Sequence, residues 1–406
     1  MPEDRGSIGR AIWSARPTRL VPVTREAIDA WLGTAGTEVL LIDYHQSHLV
    51  PFGGGDGGGS PIPVDAHPAG HAYATGRAVR DGGHLYLPLT VYGERMGVLT
   101  VRPPAETAAS EEDLAEITAD LARAIRLADT ATDIYREVRR RKRLTVAAEL
   151  QWDLLPGRTC ESDQFCLAGQ LEPAYTVSGD NFDWSLSGHH LTLSVSNGMG
   201  GGISAALLTQ LTVNSLRNAR RSGAAPAEAA ELAGGIVYSQ YGGAHHSSTV
   251  LLRIALATGE GEVVDAGSPR MLRVRRGEIE PVKLDQQMPL GMFSDTRYRV
   301  QPLSLQSGDR LIVVSDGLYD ARSPAGRAYG SAMLSAALRS SRPQDPNETV
   351  RYLISNLLAH HEGPGLADDA IAVCLDWHGS GDHLVAASAS LSGLTRPGGT
   401  SPDVMT

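Results

Sequence analysis

Residues 177–206 read VSGDNFDWSLSGHHLTLSVSNGMGGGISAA, an acidic loop followed by an alternating strand and a glycine-rich turn that opens a helix. Asp180 and Asp183 belong to the loop, and the alternation of polar and apolar residues after it predicts the strand. Two later segments also place acids beside apolar strands, SDGLYD at 315–320 and ADDA at 367–370. Carboxylates at the ends of neighbouring strands converge on one point, and hard divalent cations prefer such oxygen ligands. The pattern therefore predicts a cation site at one edge of a sheet.

Length and charge restrict the class of protein. A chain of 406 residues is long enough for two domains, each with its own hydrophobic core. The formal net charge of −10 argues against nucleic acid as a partner. Cys160, Cys166 and Cys374 form neither a disulfide framework nor a zinc-binding motif. Because no stretch has the apolar length of a secretory signal or a membrane span, the expected location is the cytoplasm, without membrane association.

The sequence of the N-terminal part predicts a flexible leader over residues 1–20 and a small α/β sensor-like domain over residues 21–109. Strands are expected at 38–44, 84–89 and 96–101. The glycine run at 53–59 lacks the Gly-Lys-Ser/Thr ending of a phosphate-binding loop and predicts a surface connection. The sequences HAYATGRAV and LYLPLTVYGERMGVLTV, in this order, resemble a shortened GAF domain.

Residues 110–156 predict a helical linker, which begins with a capping-box pattern at Ser110 and Asp113. An apolar seam with alternating steps of three and four follows: Leu114, Ile117, Leu121, Ala124, Ala128, Ala131, Tyr135 and Val138. This heptad period predicts a coiled coil that joins two copies of the chain into a homodimer. The alternative is a single amphipathic helix packed on the N-terminal domain. The seam breaks at the basic run 139–143, and a helix resumes until Pro156.

Between residues 144 and 377 seven motifs follow one another: LQWDLLP, SGDNFD, NGMGGG, DAGSP, PLG, SDGLYD and ADDA. Their order resembles that of the metal-dependent Ser/Thr protein phosphatases of type 2C (PPM), in their bacterial SpoIIE/RsbU-like branch. The resemblance implies an α+β fold, an α-β-β-α sandwich over residues 157–378 with two Mn²⁺ or Mg²⁺ ions at one edge of the paired sheets. Hairpin patterns around Thr258 and Arg276 agree with it.

The same resemblance implies the residues of the site. The metal ligands on which catalysis depends would be Asp180, Asp316, Asp368 and the Gly198 carbonyl. The further metal-site or accessory positions are Asn197, Asp369, Asp320 and Asp183. Two cations would neutralise a phosphoester and lower the pKa of a water that attacks phosphorus. For Asp316 alone, the other interpretation is a turn in which the Asp caps its own backbone.

Three positions depart from the family pattern. Asn197 stands where the family places an Asp that bridges both metals, and an amide is a poorer bridge because it is neutral. Gly201 and Ser268 stand where family members carry His. Three interpretations compete: an enzyme with a weaker, Mn²⁺-dependent centre, a domain that binds a phosphoprotein without hydrolysing it, and deamidation of Asn197 that restores the carboxylate.

The function that the resemblance implies is hydrolysis of phosphoserine or phosphothreonine on a STAS-type anti-anti-sigma partner, in signal transduction and sigma-factor regulation. The alternative is a weak or inactive pseudophosphatase that acts as a regulatory binding module, which Asn197 favours. The histidine pairs at 189–190, 245–246 and 360–361 lack the spacing of a helical zinc motif and predict surface turns. Residues 379–406, rich in Gly, Ser, Thr and Pro, predict a disordered tail.

Overall fold

The computed structural model describes residues 5–53, 59–104, 109–141, 144–174, 178–267, 269–362 and 366–379. The predicted tail lies almost entirely outside the described residues, as do the central glycines of the run at 53–59. Two α/β units are joined by a helical segment, and all strand pairs in both units are antiparallel.

The N-terminal unit is a six-stranded sheet with helices on both faces, in the strand order β3-β2-β1-β6-β5-β4. Its helices are α1 (Arg5–Ser14), α2 (Leu20–Leu32) and α3 (Pro68–Thr75). Its strands are β1 (Glu38–Ile42), β2 (His48–Pro51), β3 (Ile62–Pro63), β4 (Val79–Asp81), β5 (His84–Val91) and β6 (Glu94–Val101). The three predicted strands are confirmed within a few residues at their ends, whereas the GAF likeness stays a prediction.

The prediction of a flexible leader is wrong for residues 5–14, which form α1. Ile8 and Ile12 lie one turn apart on this helix, and both are buried in the core of the N-terminal unit. The low apolar content of the segment hid this pair, since two side chains at helical spacing are enough to anchor a short helix when a core receives them.

The linker contains α4 (Glu111–Ala128), α5 (Ile134–Arg139) and α6 (Val146–Leu154). The capping box of Ser110 and Asp113 is confirmed. The prediction of a continuous coiled coil is wrong, because helix α4 ends at Ala128. The seam residues Leu114, Leu121 and Tyr135 are buried in the core of the N-terminal unit. The structure has the alternative, an amphipathic helix packed on its own domain. Homodimerisation stays a prediction that the seam no longer supports.

The C-terminal unit contains two sheets and four long helices. Its strands are β7 (Thr159–Ser162), β8 (Phe165–Glu172), β9 (Asp180–Leu186), β10 (His190–Gly198), β11 (Ser247–Ala255), β12 (Glu260–Ala266), β13 (Arg270–Arg275), β14 (Glu278–Pro281), β15 (Gln301–Ser304), β16 (Asp309–Val314) and β17 (Ala370–Trp377). Its helices are α7 (Gly202–Arg221), α8 (Pro226–Tyr241), α9 (Asp316–Tyr319), α10 (Gly330–Ser340) and α11 (Pro346–His361). The first sheet has the order β15-β12-β11-β10-β9 and the second β14-β13-β16-β17-β8-β7.

The two sheets pack face to face over one apolar core, in which Val195 and Leu252 of the first sheet meet Val313 and Val373 of the second. Helices α7 and α8 cover the outer face of the first sheet. Helices α10 and α11 cover the outer face of the second. The predicted α-β-β-α sandwich is therefore confirmed, as are the hairpins around Thr258 and Arg276. No described helix combines the length and the apolar composition that crossing a membrane requires.

The two units contact each other through aromatic and charged side chains. The ring centroids of Tyr44 and Trp152 are 5.1 Å apart, which places α6 against the N-terminal unit. The buried Arg158 donates from Nη2 to the Tyr44 carbonyl at 2.8 Å. Arg95 forms an ion pair with Asp345 of the C-terminal unit. The helix that precedes the sandwich is thus held by both units.

Candidate active site

The predicted site residues meet at one end of the sandwich. Asp180 is the first residue of β9, and its partner in the antiparallel register is Asn197 near the end of β10. Asp316 follows β16, and Asp368 precedes β17, which pairs with β16 at the same end. The structure differs from the sequence prediction in one detail, because Asp180 and Asp183 belong to strand β9 rather than to a loop.

Asp180 is fully buried, with 0% exposure. Neither of its carboxylate oxygens has a hydrogen-bond partner among the described residues. Burial raises the pKa of Asp180 well above its usual value, and the neighbouring carboxylates of Asp369, Asp316 and Asp368 raise it further. The Ser315 hydroxyl lowers this pKa, but its hydrogen bond at 3.4 Å goes to the Asp369 carbonyl. A buried carboxylate without a donor is costly unless a cation compensates it.

Asn197 and Asp316 connect the two sheets. The amide Nδ2 of Asn197 donates to Oδ1 of Asp316 at 2.8 Å, and the Gly317 N–H donates to the same oxygen at 3.0 Å. Partial burial raises the pKa of Asp316, as does the charge of Asp368, while the bonds from Gly317 and Asn197 lower it. The neutral amide thus occupies one oxygen of a predicted ligand.

Asp369 is saturated with hydrogen bonds and serves as an anchor in the structure. Its Oδ1 accepts from the Ala174 N–H at 2.7 Å, and its Oδ2 accepts from Gln151 Nε2 at 2.7 Å and the Ser178 N–H at 2.8 Å. The N–H groups of Gly179 and Asp180 lie within 3.4 Å of the same Oδ2. These donors hold the loop that leads into β9, so the geometry favours a positioning role over the ligand role predicted for Asp369.

Two glycines allow the close approach of the segments at the site. Gly179 has φ +91°, and a Cβ there would lie 2.6 Å from the carbonyl oxygen of Gly198, the predicted ligand. Gly198 in turn donates its N–H to the Gly179 carbonyl at 3.0 Å. A Cβ at Gly317 would overlap the carbonyl of Asp369. The glycines of the SGD and SDG motifs are therefore required by packing between backbones.

The accessory candidates separate into two groups. Asp183 lies outside the site, where it forms ion pairs with Arg217 at 2.7 Å and Arg220 at 2.9 Å and thereby fastens α7 to β9. Asp320 is at the site, since it lines a cavity of about 290 Å³ together with Asp316 and Asp368. The residue at position 268 lies outside the described residues.

Sequence reasoning missed the roles of Gln151 and Arg270. Gln151, on α6, donates both to Asp369 and to the Asp180 carbonyl, at 2.7 and 3.1 Å. Its place inside the LQWDLLP motif is the signal that points to it. Arg270 lies with its Cζ 3.7 Å from the centroid of the Tyr319 ring, and both line a cavity of about 630 Å³ with Asp316. No local pattern around Arg270 indicates this.

The donor set fits a divalent cation in kind, since it consists of carboxylate and carbonyl oxygens. In the part of the chain that the structure describes, no group of three or more His, Cys, Asp or Glu side chains has an arrangement that could hold a metal ion. The Asn197 amide already donates to Oδ1 of Asp316, one of the predicted ligand oxygens.

Comparison with known proteins identifies the C-terminal unit. A family model described as Stage II sporulation protein E (SpoIIE) matches residues 187–378, a range that includes Asn197, Asp316 and Asp368 and begins after Asp180. Among curated proteins the chain has no match.

Several solved structures are similar to the sandwich. The SiaA-PP2C domain of Pseudomonas aeruginosa is 18% identical, with a TM-score of 0.46, over 52% of this chain and 85% of that chain. The PP2C phosphatase domain of SpoIIE from Bacillus subtilis, with a fragment of its regulatory domain, is 20% identical, with a TM-score of 0.46, over 53% and 64%. The RsbU and RsbW domains of a Mycobacterium tuberculosis protein are 23% identical, with a TM-score of 0.46, over 54% and 61%. The chain spans less than two thirds of the length of the last two. Residues 187–378 therefore match the model of the SpoIIE family, the phosphoprotein phosphatase family that the motifs resemble.

Proposed function

We propose that this chain is a metal-dependent phosphatase that hydrolyses phosphoserine or phosphothreonine on a protein partner. The observation that carries the proposal is Asp180, a fully buried carboxylate without a hydrogen-bond donor among the described residues. Asp316 and Asp368 are close enough to raise its pKa. Acids whose pKa values are perturbed by burial and by each other are typical of functional sites.

The residues that would hold Mn²⁺ or Mg²⁺ are Asp180, Asp316, Asp368 and the Gly198 carbonyl. When bound, such cations neutralise the phosphoryl oxygens and lower the pKa of the attacking water. Other side chains of the protein position these ligands. Asp369 and Gln151 hold the backbone around Asp180 through their hydrogen bonds, and Asn197 ties Asp316 to the opposite sheet.

The position of Arg270 supports the proposal that the substrate is phosphorylated. Its guanidinium group stacks on Tyr319 and lines the same cavity as Asp316, at the open side of the site. Guanidinium groups bind phosphate with paired hydrogen bonds, and stacking on an aromatic ring restricts their motion. A phosphoryl group that enters this cavity would meet both Arg270 and the acids Asp316 and Asp320.

The regulatory side of the proposal concerns the N-terminal unit, as a GAF-like sensor, and a STAS-type anti-anti-sigma partner in the cytoplasm. The support for the partner is the SpoIIE family match. The support for regulation is helix α6, because Trp152 contacts Tyr44 of the N-terminal unit while Gln151, its neighbour, contacts Asp369. A shift of this helix would move the segment that leads into β9, and with it Asp180.

A second candidate function is phosphoprotein binding without hydrolysis. The observation that favours it is the hydrogen bond from Asn197 to Asp316, which satisfies with a neutral amide a carboxylate that a cation would otherwise bind. The enzyme proposal requires that a cation displace this amide.

The experiment is Mn²⁺- and Mg²⁺-dependent hydrolysis of a phosphoserine protein and of p-nitrophenyl phosphate by wild type, Asn197→Asp and Asp316→Ala. Wild-type activity that disappears in Asp316→Ala supports the enzyme. No wild-type activity, with activity appearing in Asn197→Asp, supports the binding module. The mass of the peptide that contains Asn197 decides whether deamidation has restored the carboxylate, since deamidation adds about one dalton to an Asn.

A further inference from the structure

A groove leads away from the candidate active site along helix α10. Its first part, the near cavity, has a volume of about 630 Å³ and is lined by Arg270, Asp316 and Ser335 among others. Its second part, the far cavity, has a volume of about 480 Å³ and is lined by Arg276 and Leu338 among others. Ile279 of the β13–β14 hairpin lines both cavities, so they adjoin between that hairpin and α10, and we call the two together the groove.

The groove has a defined length. Strand β13 runs along it from Arg270, at the active-site end, to Arg275, and Arg276 follows in the turn. Six residues of extended chain cover about 20 Å. An extended peptide whose phosphorylated residue lies at Asp316 would therefore reach the far cavity with its sixth residue.

The far cavity is cationic in a chain whose formal net charge is −10. Four arginines and two aspartates line it: Arg276, Arg310, Arg339, Arg342, Asp309 and Asp376. These six side chains leave a formal charge of +2, before any contribution from His378.

Three of the four arginines have guanidinium groups without an acidic partner among the described residues. Arg310 is bound by Asp376 at 2.6 Å, and the nearby Arg275 is bound by Asp309 at 2.6 Å. Arg276, Arg339 and Arg342 form no ion pair with any acidic side chain of the described ranges. All three are exposed, so a ligand can reach them.

We propose that this groove docks an acidic segment of the phosphoprotein substrate, with Arg276, Arg339 and Arg342 binding carboxylates about 20 Å from the phosphorylated residue. The proposal rests on the proposed function, which supplies the expectation that the peptide residue at Asp316 is phosphorylated. The apolar side chains of the groove, Val274, Ile279 and Leu338, provide contact area between its two charged ends.

The test measures binding, so that it does not depend on catalysis. The probes are fluorescent phosphoserine peptides with three glutamates placed about six residues before or after the phosphoserine, and matched peptides with three glutamines. For the full-length chain in Mn²⁺, at least one glutamate peptide is expected to bind about tenfold more tightly than its glutamine counterpart, as judged by fluorescence anisotropy. The variant Arg276→Ala/Arg339→Ala/Arg342→Ala is expected to lose this difference.

The matched control is Arg16→Ala/Arg77→Ala/Arg221→Ala, which removes the same charge from exposed positions that line neither cavity. It is expected to keep the glutamate preference. Equal binding of glutamate and glutamine peptides by wild type overturns the proposal, as does loss of the preference in both triple variants.

Hydrolysis of p-nitrophenyl phosphate separates this proposal from the proposed function. The groove variant is expected to keep the wild-type rate on this small substrate while its KM for the glutamate phosphopeptide rises about tenfold. An inactive wild type that still prefers the glutamate peptide refutes the phosphatase and retains the docking groove. An active wild type without the preference refutes the groove alone.

Discussion

The amide Nδ2 of Asn197 lies 2.8 Å from Oδ1 of Asp316, and this hydrogen bond joins strand β10 of the first sheet to the segment after β16 of the second. It places a neutral donor where the SpoIIE-like phosphatases are expected to have a carboxylate facing a cation. Replacing this amide by a carboxylate should lower the stability of the metal-free protein and raise its affinity for a cation. The site can therefore be tested without an activity assay.

Asn197→Asp should destabilise the metal-free protein and stabilise the metal-bound protein. Without a cation, the new carboxylate repels Asp316 and loses the hydrogen bond, and the melting temperature should fall by about 2–4 °C. With Mn²⁺, a further anionic ligand should tighten binding by about tenfold or more. Thermal melts in chelator and in Mn²⁺ measure both effects. Asn218→Asp, at an exposed position on α7, is the control, and an equal response of the two variants to Mn²⁺ would contradict the prediction.

The raised pKa of Asp180 sets the pH dependence of cation binding. A carboxyl whose folded-state pKa is raised favours the folded state below its unfolded pKa, and this contribution is lost as pH rises through the folded value. A cation binds the ionised form of the carboxyl. On acidification, the affinity for Mn²⁺ should therefore begin to decline at a higher pH than it would for a carboxyl with an ordinary pKa. The decline should be about tenfold per pH unit for each proton displaced. Calorimetric titration between about pH 5 and about pH 8 measures it. A constant affinity over that range would refute it.

Asp369→Asn and Asp368→Asn should differ although the residues are adjacent. In Asp369→Asn an NH₂ group replaces one carboxylate oxygen, so a donor would face the backbone N–H donors that now bind this side chain. We therefore expect a loss of about 2–4 kcal/mol in the free energy of unfolding. Asp368 is partly exposed, and Asp368→Asn should change that free energy by less than about 1 kcal/mol while weakening Mn²⁺ binding. Urea denaturation and Mn²⁺ titration distinguish them. Equal destabilisation would show that Asp369 is no anchor.

Gln151→Leu should affect the site from outside the sandwich. The variant removes the donors to Asp369 and to the Asp180 carbonyl, at a cost of about 1–3 kcal/mol, and should reduce Mn²⁺ affinity. Asp153→Asn is the control on the same helix, since Asp153 is exposed and pairs only with Arg136 in the described structure. Unchanged Mn²⁺ affinity in Gln151→Leu would argue against a link between α6 and the site.

Leu121→Ala distinguishes the two interpretations of the apolar seam. Because Leu121 is fully buried against the N-terminal unit, we expect a loss of about 2–5 kcal/mol in unfolding free energy and no change of oligomeric state. Leu127→Ala, at a position with 65% exposure on the same helix, is the control. Light scattering coupled to size exclusion gives the molar mass. Dissociation of a dimer into stable monomers by Leu121→Ala would restore the coiled coil.

Local patterns determined much of this protein. The alternation around 190–195, the hairpins at Thr258 and Arg276, and the capping box at Ser110 depend on neighbours in the chain, and the structure confirms each. The acids at strand ends were also recognisable, because strand ends and turn residues are local features.

What covers each surface, and which neighbour each acid contacts, depends on how distant elements pack together. The seam of α4 shows that an apolar face exists, whereas its partner is a core formed by α1, α2 and the N-terminal sheet. Asp368 and Asp369 are identical in sequence terms, yet only Asp369 meets backbone donors from the segment before β9. Asp183 likewise turns from the site toward Arg217 because residues three apart on a strand face opposite sides. Hydrogen bonds and ion pairs between distant segments depend on how the elements pack, and spacing along the chain carries no record of that packing.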